Sequence, residues 1–171
     1  MAYTGDVLAV SRAYTIFFLC IEPISALVGA FYALVLPRSY LRLTHLTSAP
    51  AAYEPIPIGT SVVLTQLANL YLLFAVNEAL VLRCTTDIRV WKTVLFGLLI
   101  ADFGHLYSVY QLGHEVYWSF WNWNAMAWGN VAFVYLGAAM RLAFLCGFGV
   151  GSDHQSKQSL RDVVGQARKE T

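Results

Sequence analysis

Four long apolar runs, each interrupted by ionisable or amide side chains, constrain this chain more than any other feature. They cover about Ala13 to Leu36, Gly59 to Leu82, Val90 to Leu112 and Ala125 to Val150. Each is roughly 23–26 residues, or about 35–39 Å as α-helix, enough to cross a hydrocarbon layer of about 30 Å with some tilt. The runs leave almost no polar face to meet water, which argues against core helices of a soluble protein. Composition agrees: only 12% of the residues are charged, against about 25% in a soluble domain. The expected fold is all-α, an integral membrane four-transmembrane-helix bundle spanning residues 1–150, with the polar segment 151–171 as a cytosolic tail.

The boundaries are readable. Pro37 and Arg38 end the first run, and a loop with Pro50, Pro55 and Pro57 follows. Arg83 to Arg89 separates the middle runs, with Arg83 expected to snorkel from a helix end. The segment Gly113 to Asn124 carries Trp118, Trp121 and Trp123, residue types that gather at membrane–water interfaces. No basic region precedes the first run, which is too long for a signal-peptide core and is expected to remain as a span. Eight basic residues (Arg12, Arg83, Arg89, Lys92, Lys157, Arg161, Arg168 and Lys169) lie on the side of the termini, against Arg38 and Arg42 on the other. The positive-inside rule then places both termini in the cytosol. The endoplasmic reticulum membrane is the expected location.

Some functions are disfavoured at once. A net charge of +1 with no basic stripe argues against nucleic acid as a partner. Cys20, Cys84 and Cys146 form neither a CxxC nor a Cys/His pattern, and no second helical histidine accompanies His105. No metal or cofactor is expected.

The informative residues are those a bilayer disfavours. A charge at the centre of a span costs about 2.5–3.5 kcal/mol on insertion scales. Glu22, Glu78, Asp102, His105 and Arg141 all lie within the runs, with Asn69, Asn77 and Asn130 beside them. Counting from the helix ends puts Glu22, Asn69 and Asp102 near one depth, with Glu78 and Arg141 together nearer the cytosol. Helical angles of 100° per residue group Gln66, Asn69 and Asn77 on one stripe, Asp102 with His105, and Asn130 with Arg141. Such stripes are satisfied by facing one another.

Glu78 and Arg141 are expected to form a structural ion pair. Glu22, Asp102 and His105 are the catalytic candidates: low dielectric favours a neutral carboxyl, and two neighbouring carboxyls separate into one acid and one base. The spacing of Asp102 and His105 lets the imidazole orient the carboxylate, which assigns them to the base side and Glu22 to the acid, the reverse being open. Asn69, Asn77, Asn130, Trp121 and Trp128 are the expected substrate contacts, since amides both donate and accept.

The segments IEPISALVGA at Glu22, LANLYLL and NEALVLR around Asn69, Glu78 and Arg83, IADFGHLY at Asp102 and His105, WNWNAMAWGN ending at Asn130, and MRLAFL at Arg141 together resemble a family. It is the fungal family of small four-helix membrane proteins named for the ascofuranone terpene cyclase. It includes epoxide hydrolases of aurovertin- and citreoviridin-type polyketide biosynthesis. The resemblance covers about Thr15 to Gly147. It implies an enzyme that opens an epoxide on a lipophilic polyketide or terpenoid, by hydrolysis or by ring closure. A lipophilic epoxide and membrane lipid are then the partners, and a homodimer is possible. The alternatives are an isomerase of the emopamil-binding class and a non-enzymatic lipid- or sterol-binding protein. A central cavity lined jointly by Glu22, Asp102 and His105 would favour an enzyme.

Overall fold

The computed structural model describes residues 8–152, most of which are helical. Four helices are long and apolar enough to cross a membrane: α1 (Arg12–Val35), α3 (Ile58–Cys84), α4 (Ile88–Leu112) and α5 (Ala125–Leu145). A shorter helix, α2 (Pro37–Thr44), follows α1. Large apolar side chains such as Ile24, Val63, Ile100 and Phe103 are more than half exposed. They point outward because in lipid the periphery of a bundle is apolar and the polar groups turn inward. The protein is thus a four-helix bundle of the integral membrane kind.

The helices pack chiefly as two antiparallel pairs, α1 with α3 and α4 with α5. Two apolar cores lie at opposite ends of the bundle, the first joining the pairs and the second packing α1, α2 and α3. At the end carrying the termini, Tyr14, Phe17, Phe18, Leu82, Trp91, Leu95, Leu98 and Phe144 form one cluster. At the far end, Ala33, Tyr40, Leu64 and Ala68 form the other. The buried polar layer lies between them.

The structure corrects three boundaries. First, the segment after Pro37, read as loop, begins with α2, where proline is tolerated at the first helical turn. Arg38 then donates to the carbonyls of Pro50, Ala51 and Glu54 and folds the proline-rich connection back on itself. Second, α5 ends at Leu145 rather than Val150. Gly147 and Gly149 follow at φ 86° and 66°, a region open to glycine and strained for other residues. Third, a short antiparallel pair joins β1 (Leu8–Val10) to β2 (Val150–Ser152). This pair holds the two ends of the described chain together on one side of the bundle. It also extends the ordered unit to Ser152, past the expected boundary at 150; the rest of the tail lies outside the described residues.

Candidate active site

Arg141 organises the buried polar layer. It is fully buried, and its guanidinium touches three carboxyl groups. Nη1 donates to Asp102 Oδ2 at 2.7 Å, and Nη2 donates to Glu22 Oε1 at 2.7 Å and to Glu78 Oε1 at 2.8 Å. The rings of Phe18 and Phe74 lie 5.6 and 5.4 Å from the guanidinium carbon, close enough for its charge to interact with the aromatic π systems. Gly137, one turn before Arg141, leaves the required room. A Cβ there would meet Arg141 Nη1 at 2.8 Å and Glu22 Oε1 at 3.0 Å.

The Glu78–Arg141 contact therefore exists, but as part of a four-residue cluster. The expected division into a catalytic layer and a separate structural pair is overturned, because the long arginine side chain spans the difference in depth. Three carboxyls around one guanidinium would carry two uncompensated negative charges if all were ionised. Charge balance is reached when one is a carboxylate and two hold protons.

Local backbone geometry places these groups. Three of the four long helices contain a π-helical turn: Phe17–Ile21, Asn77–Val81 and Trp128–Ala132. Glu22 immediately follows the first, Glu78 lies in the second and Asn130 in the third. Such turns rotate the side chains beyond them and are frequent at functional sites. The first has a visible partner in the sequence: Pro23 has no amide with which to make the α-helical bond to Leu19, four residues earlier. Arg83, expected to snorkel, donates to the Leu19 carbonyl instead, at 2.6 Å.

Above the cluster, toward the far end, lies a cavity of about 580 Å³. Glu22, Asp102, His105 and Asn130 line it, and its remaining wall is mostly apolar, including Leu67, Phe74 and Phe133. Val28 and Leu70 also line it while 52% and 60% exposed, so the cavity opens at the side of the bundle. A smaller cavity of about 240 Å³ lies under the far-end loop, with a mixed lining of apolar side chains such as Val109 and Leu112 and polar ones that include His45, Glu115, Asn122 and Asn124. Leu43, Met126 and Asn130 line both cavities.

The expected site residues divide clearly. Glu22, Asp102, His105 and Asn130 are brought together. His105 does not pair with Asp102, whose Oδ2 is taken by Arg141. The imidazole instead lies against the backbone of Asn130, with Nε2 buried and unpartnered. Asn69 is exposed on the outer face of α3, as is Gln66, and Asn77 is half-buried away from the cavity. The inward face of α3 is set by Leu67, Tyr71, Phe74 and Glu78. Asn69 lies about 200° from Leu67 or Tyr71, on the opposite side. Trp121 and Trp128 are 80% and 52% exposed and line neither cavity.

Tyr32, Tyr40 and Tyr71 were not expected among the lining residues. Their signal in the sequence is faint, since tyrosine in a span is as ordinary at an interface as in a site. Among the described residues no group of side chains is arranged to hold a metal ion.

The sequence profile of a domain of unknown function, DUF7704, matches residues 7–150. The chain belongs to the DUF7704 family. No curated protein and no solved structure matches it.

Proposed function

We propose that this DUF7704 protein is a membrane enzyme that opens an epoxide on a lipophilic substrate by carboxyl acid–base catalysis. The observation that carries the reading is the placing of Glu22 and Asp102 together on the wall of one largely apolar cavity, each held by Arg141 through a single oxygen. Glu22 Oε2 and Glu78 Oε2 are both buried without a partner, and of these two residues only Glu22 lines the cavity, so Glu22 is assigned the transferable proton. The resemblance to the fungal ascofuranone-type cyclases and polyketide epoxide hydrolases points to the same chemistry.

In this mechanism a water molecule attacks one epoxide carbon as the carbon–oxygen bond breaks. Asp102 takes a proton from the attacking water, and Glu22 gives one to the departing epoxide oxygen, leaving a diol. A hydroxyl of the substrate in place of water closes an ether ring by the same proton transfers. One proton then returns from Asp102 to Glu22 to reset the pair. Arg141 fixes both carboxyls, which makes their separation a property of the bundle rather than of flexible side chains. His105 and Asn130, which line the cavity beside the two carboxyls, are assigned to hold the water or the epoxide oxygen. The side opening admits a substrate from the lipid, and the cavity beneath the loop, which shares Leu43, Met126 and Asn130 with the first, is assigned as the route for water. The chain is assigned to the endoplasmic reticulum membrane with the carboxyl cluster toward the cytosolic half.

The test is turnover of long-chain epoxides by the purified protein in lipid nanodiscs, run in water labelled with heavy oxygen. The label is expected at one carbon of the product, with inversion. Glu22→Gln and Asp102→Asn should each lower turnover about 10²–10⁴-fold while the protein stays folded, and His105→Ala should lower it less. Full activity in both folded carboxamide variants would remove the proposal. A product with a shifted double bond and no added oxygen would identify an isomerase using the same cavity.

A further inference from the structure

The cavity has a second polar pole, away from the carboxyl cluster. Tyr40, from α2, and Tyr71, from α3, both line it, and their hydroxyl oxygens are 3.2 Å apart. Two phenols joined by one hydrogen bond use one of their two protons. The other proton is available to an acceptor in the cavity. Burial pushes the Tyr40 phenol above its ordinary range, although the bond to Tyr71 partly opposes this, so Tyr40 stays protonated at physiological pH.

The position of the pair is fixed by packing. The Tyr71 ring lies against Gly29, where an added Cβ would stand 3.3 Å from the ring. Gly29 is seven residues beyond Glu22 on α1, and Tyr71 is seven residues before Glu78 on α3. Seven residues are two helical turns, or about 10 Å, on each helix. The phenol pair and the carboxyl cluster are therefore two fixed poles of one cavity, with an apolar wall between them.

We infer that the Tyr40–Tyr71 pair is a recognition subsite for an acceptor oxygen, such as a ketone or ester carbonyl, on a lipophilic substrate about 10 Å from its reacting carbons. The inference rests on the cavity being the substrate site, and it narrows the substrate from any greasy epoxide to one oxygenated at a second, set position.

Binding tests it without reference to turnover. The probes are a long-chain terminal alkyl epoxide, the same epoxide with a ketone about 10 Å along the chain, and a third with the ketone at about 5 Å. Each is titrated into the full-length protein in detergent by calorimetry. The first ketone should bind about 2- to 10-fold more tightly than either other probe, the range for one net hydrogen bond. Tyr40→Phe or Tyr71→Phe alone leaves one phenol proton to donate and should retain much of the preference. The double variant should lose it, binding the distant ketone no more tightly than the plain epoxide. Equal binding of all three probes by the wild type, no binding of any, or a preference that survives in the double variant would each overturn the subsite. A protein that prefers the distant ketone yet opens no epoxide keeps the subsite and loses the reaction. Turnover without the preference does the reverse.

Discussion

Arg83 donates to the carbonyl of Leu19 at 2.6 Å, taking the place of the amide that Pro23 lacks. A proline inside a spanning helix frees a carbonyl that lipid cannot satisfy, and a neighbouring helix must supply the donor. The proline and the arginine lie 60 positions apart in the chain but form one device, placed beside the π-helical turn that leads into Glu22.

Arg83→Ala should accordingly destabilise the bundle by about 1–3 kcal/mol, the cost of an orphaned acceptor. Pro23→Ala restores an amide, so the two substitutions should couple rather than add, by about 0.5–3 kcal/mol in a double-mutant cycle. Unfolding in mixed detergent micelles measures this. If the stabilities simply add, the carbonyl is not the shared partner. The variant with both substitutions should recover stability without recovering activity, because α1 now presents Glu22 at a different angle.

Arg141 gives the second prediction. Replacing it with methionine leaves Glu22, Glu78 and Asp102 facing one another with no cation, and a loss of about 3–5 kcal/mol is expected, as for breaking a buried ion pair. Lysine should rescue little, because one ammonium cannot present the planar fork that meets three carboxyls. Exchanging the charges, with Glu78→Arg and Arg141→Glu together, would restore an isolated pair. Here it should fail, since Glu22 and Asp102 stay bound to the position that becomes acidic. A double exchange as stable as the wild type would show that the cluster is really a pair.

The four spans were legible because a hydrocarbon layer demands about twenty apolar residues in succession, and few other sequences satisfy that. Glu22, Asp102, His105 and Arg141 were legible as a set because an ionisable group in a span must turn inward. Their pairing was not. Depth counted from helix ends cannot include the reach of Arg141, and three π-helical turns shift the angles that a uniform 100° per residue assigns. Asn69 was misplaced for another reason: the amides of α3 were aligned with one another rather than with Glu78, which lies about 180° from Asn69 at 100° per residue, and Leu67, Tyr71, Phe74 and Glu78 hold the inward face. The helix α2 was hidden by its proline, read as a stop when it was also a start.

Topology supplies the third prediction. Ala9 and Gly151 are partners in the small sheet, which puts both ends of the described chain on one side. In a variant without the native cysteines, Ala9→Cys with Gly151→Cys should form a disulfide on oxidation of the purified protein. From the basic-residue asymmetry, the positive-inside rule predicts that this side is cytosolic. In microsomes, single cysteines at Ala9 or Gly151 should react with an impermeant thiol reagent, and cysteines at Tyr53 or Trp118 only after the membrane is opened. Labelling of Tyr53→Cys in sealed microsomes would invert the orientation.

Gly137 is the sharpest local test of how the cluster is built. It faces Arg141 one turn away, and the space a methyl group would need is filled by Nη1 at 2.8 Å and Glu22 Oε1 at 3.0 Å. Neither atom is a free end: the guanidinium is held by three carboxyls, and Glu22 is held by the guanidinium. Gly137→Ala must therefore push the pair apart, and overpacking of this kind costs about 1–3 kcal/mol. The same substitution in a helix with open space gains about 0.5–1 kcal/mol, because alanine is the better helix former. Gly104 on α4 has nothing within 4 Å of an added Cβ and is the matched control. Gly104→Ala should hold or raise the unfolding midpoint, and Gly137→Ala should lower it. Glu78→Gln added to Gly137→Ala should not repair it, since the displaced contact is with Glu22. Under the proposed chemistry, Gly137→Ala should also lower turnover at every substrate concentration rather than weaken binding alone, because it moves the proton donor and leaves the apolar wall in place. An alanine variant as stable and as active as the wild type would mean that the guanidinium does not lie over Gly137, and the three-carboxyl cluster would have to be redrawn.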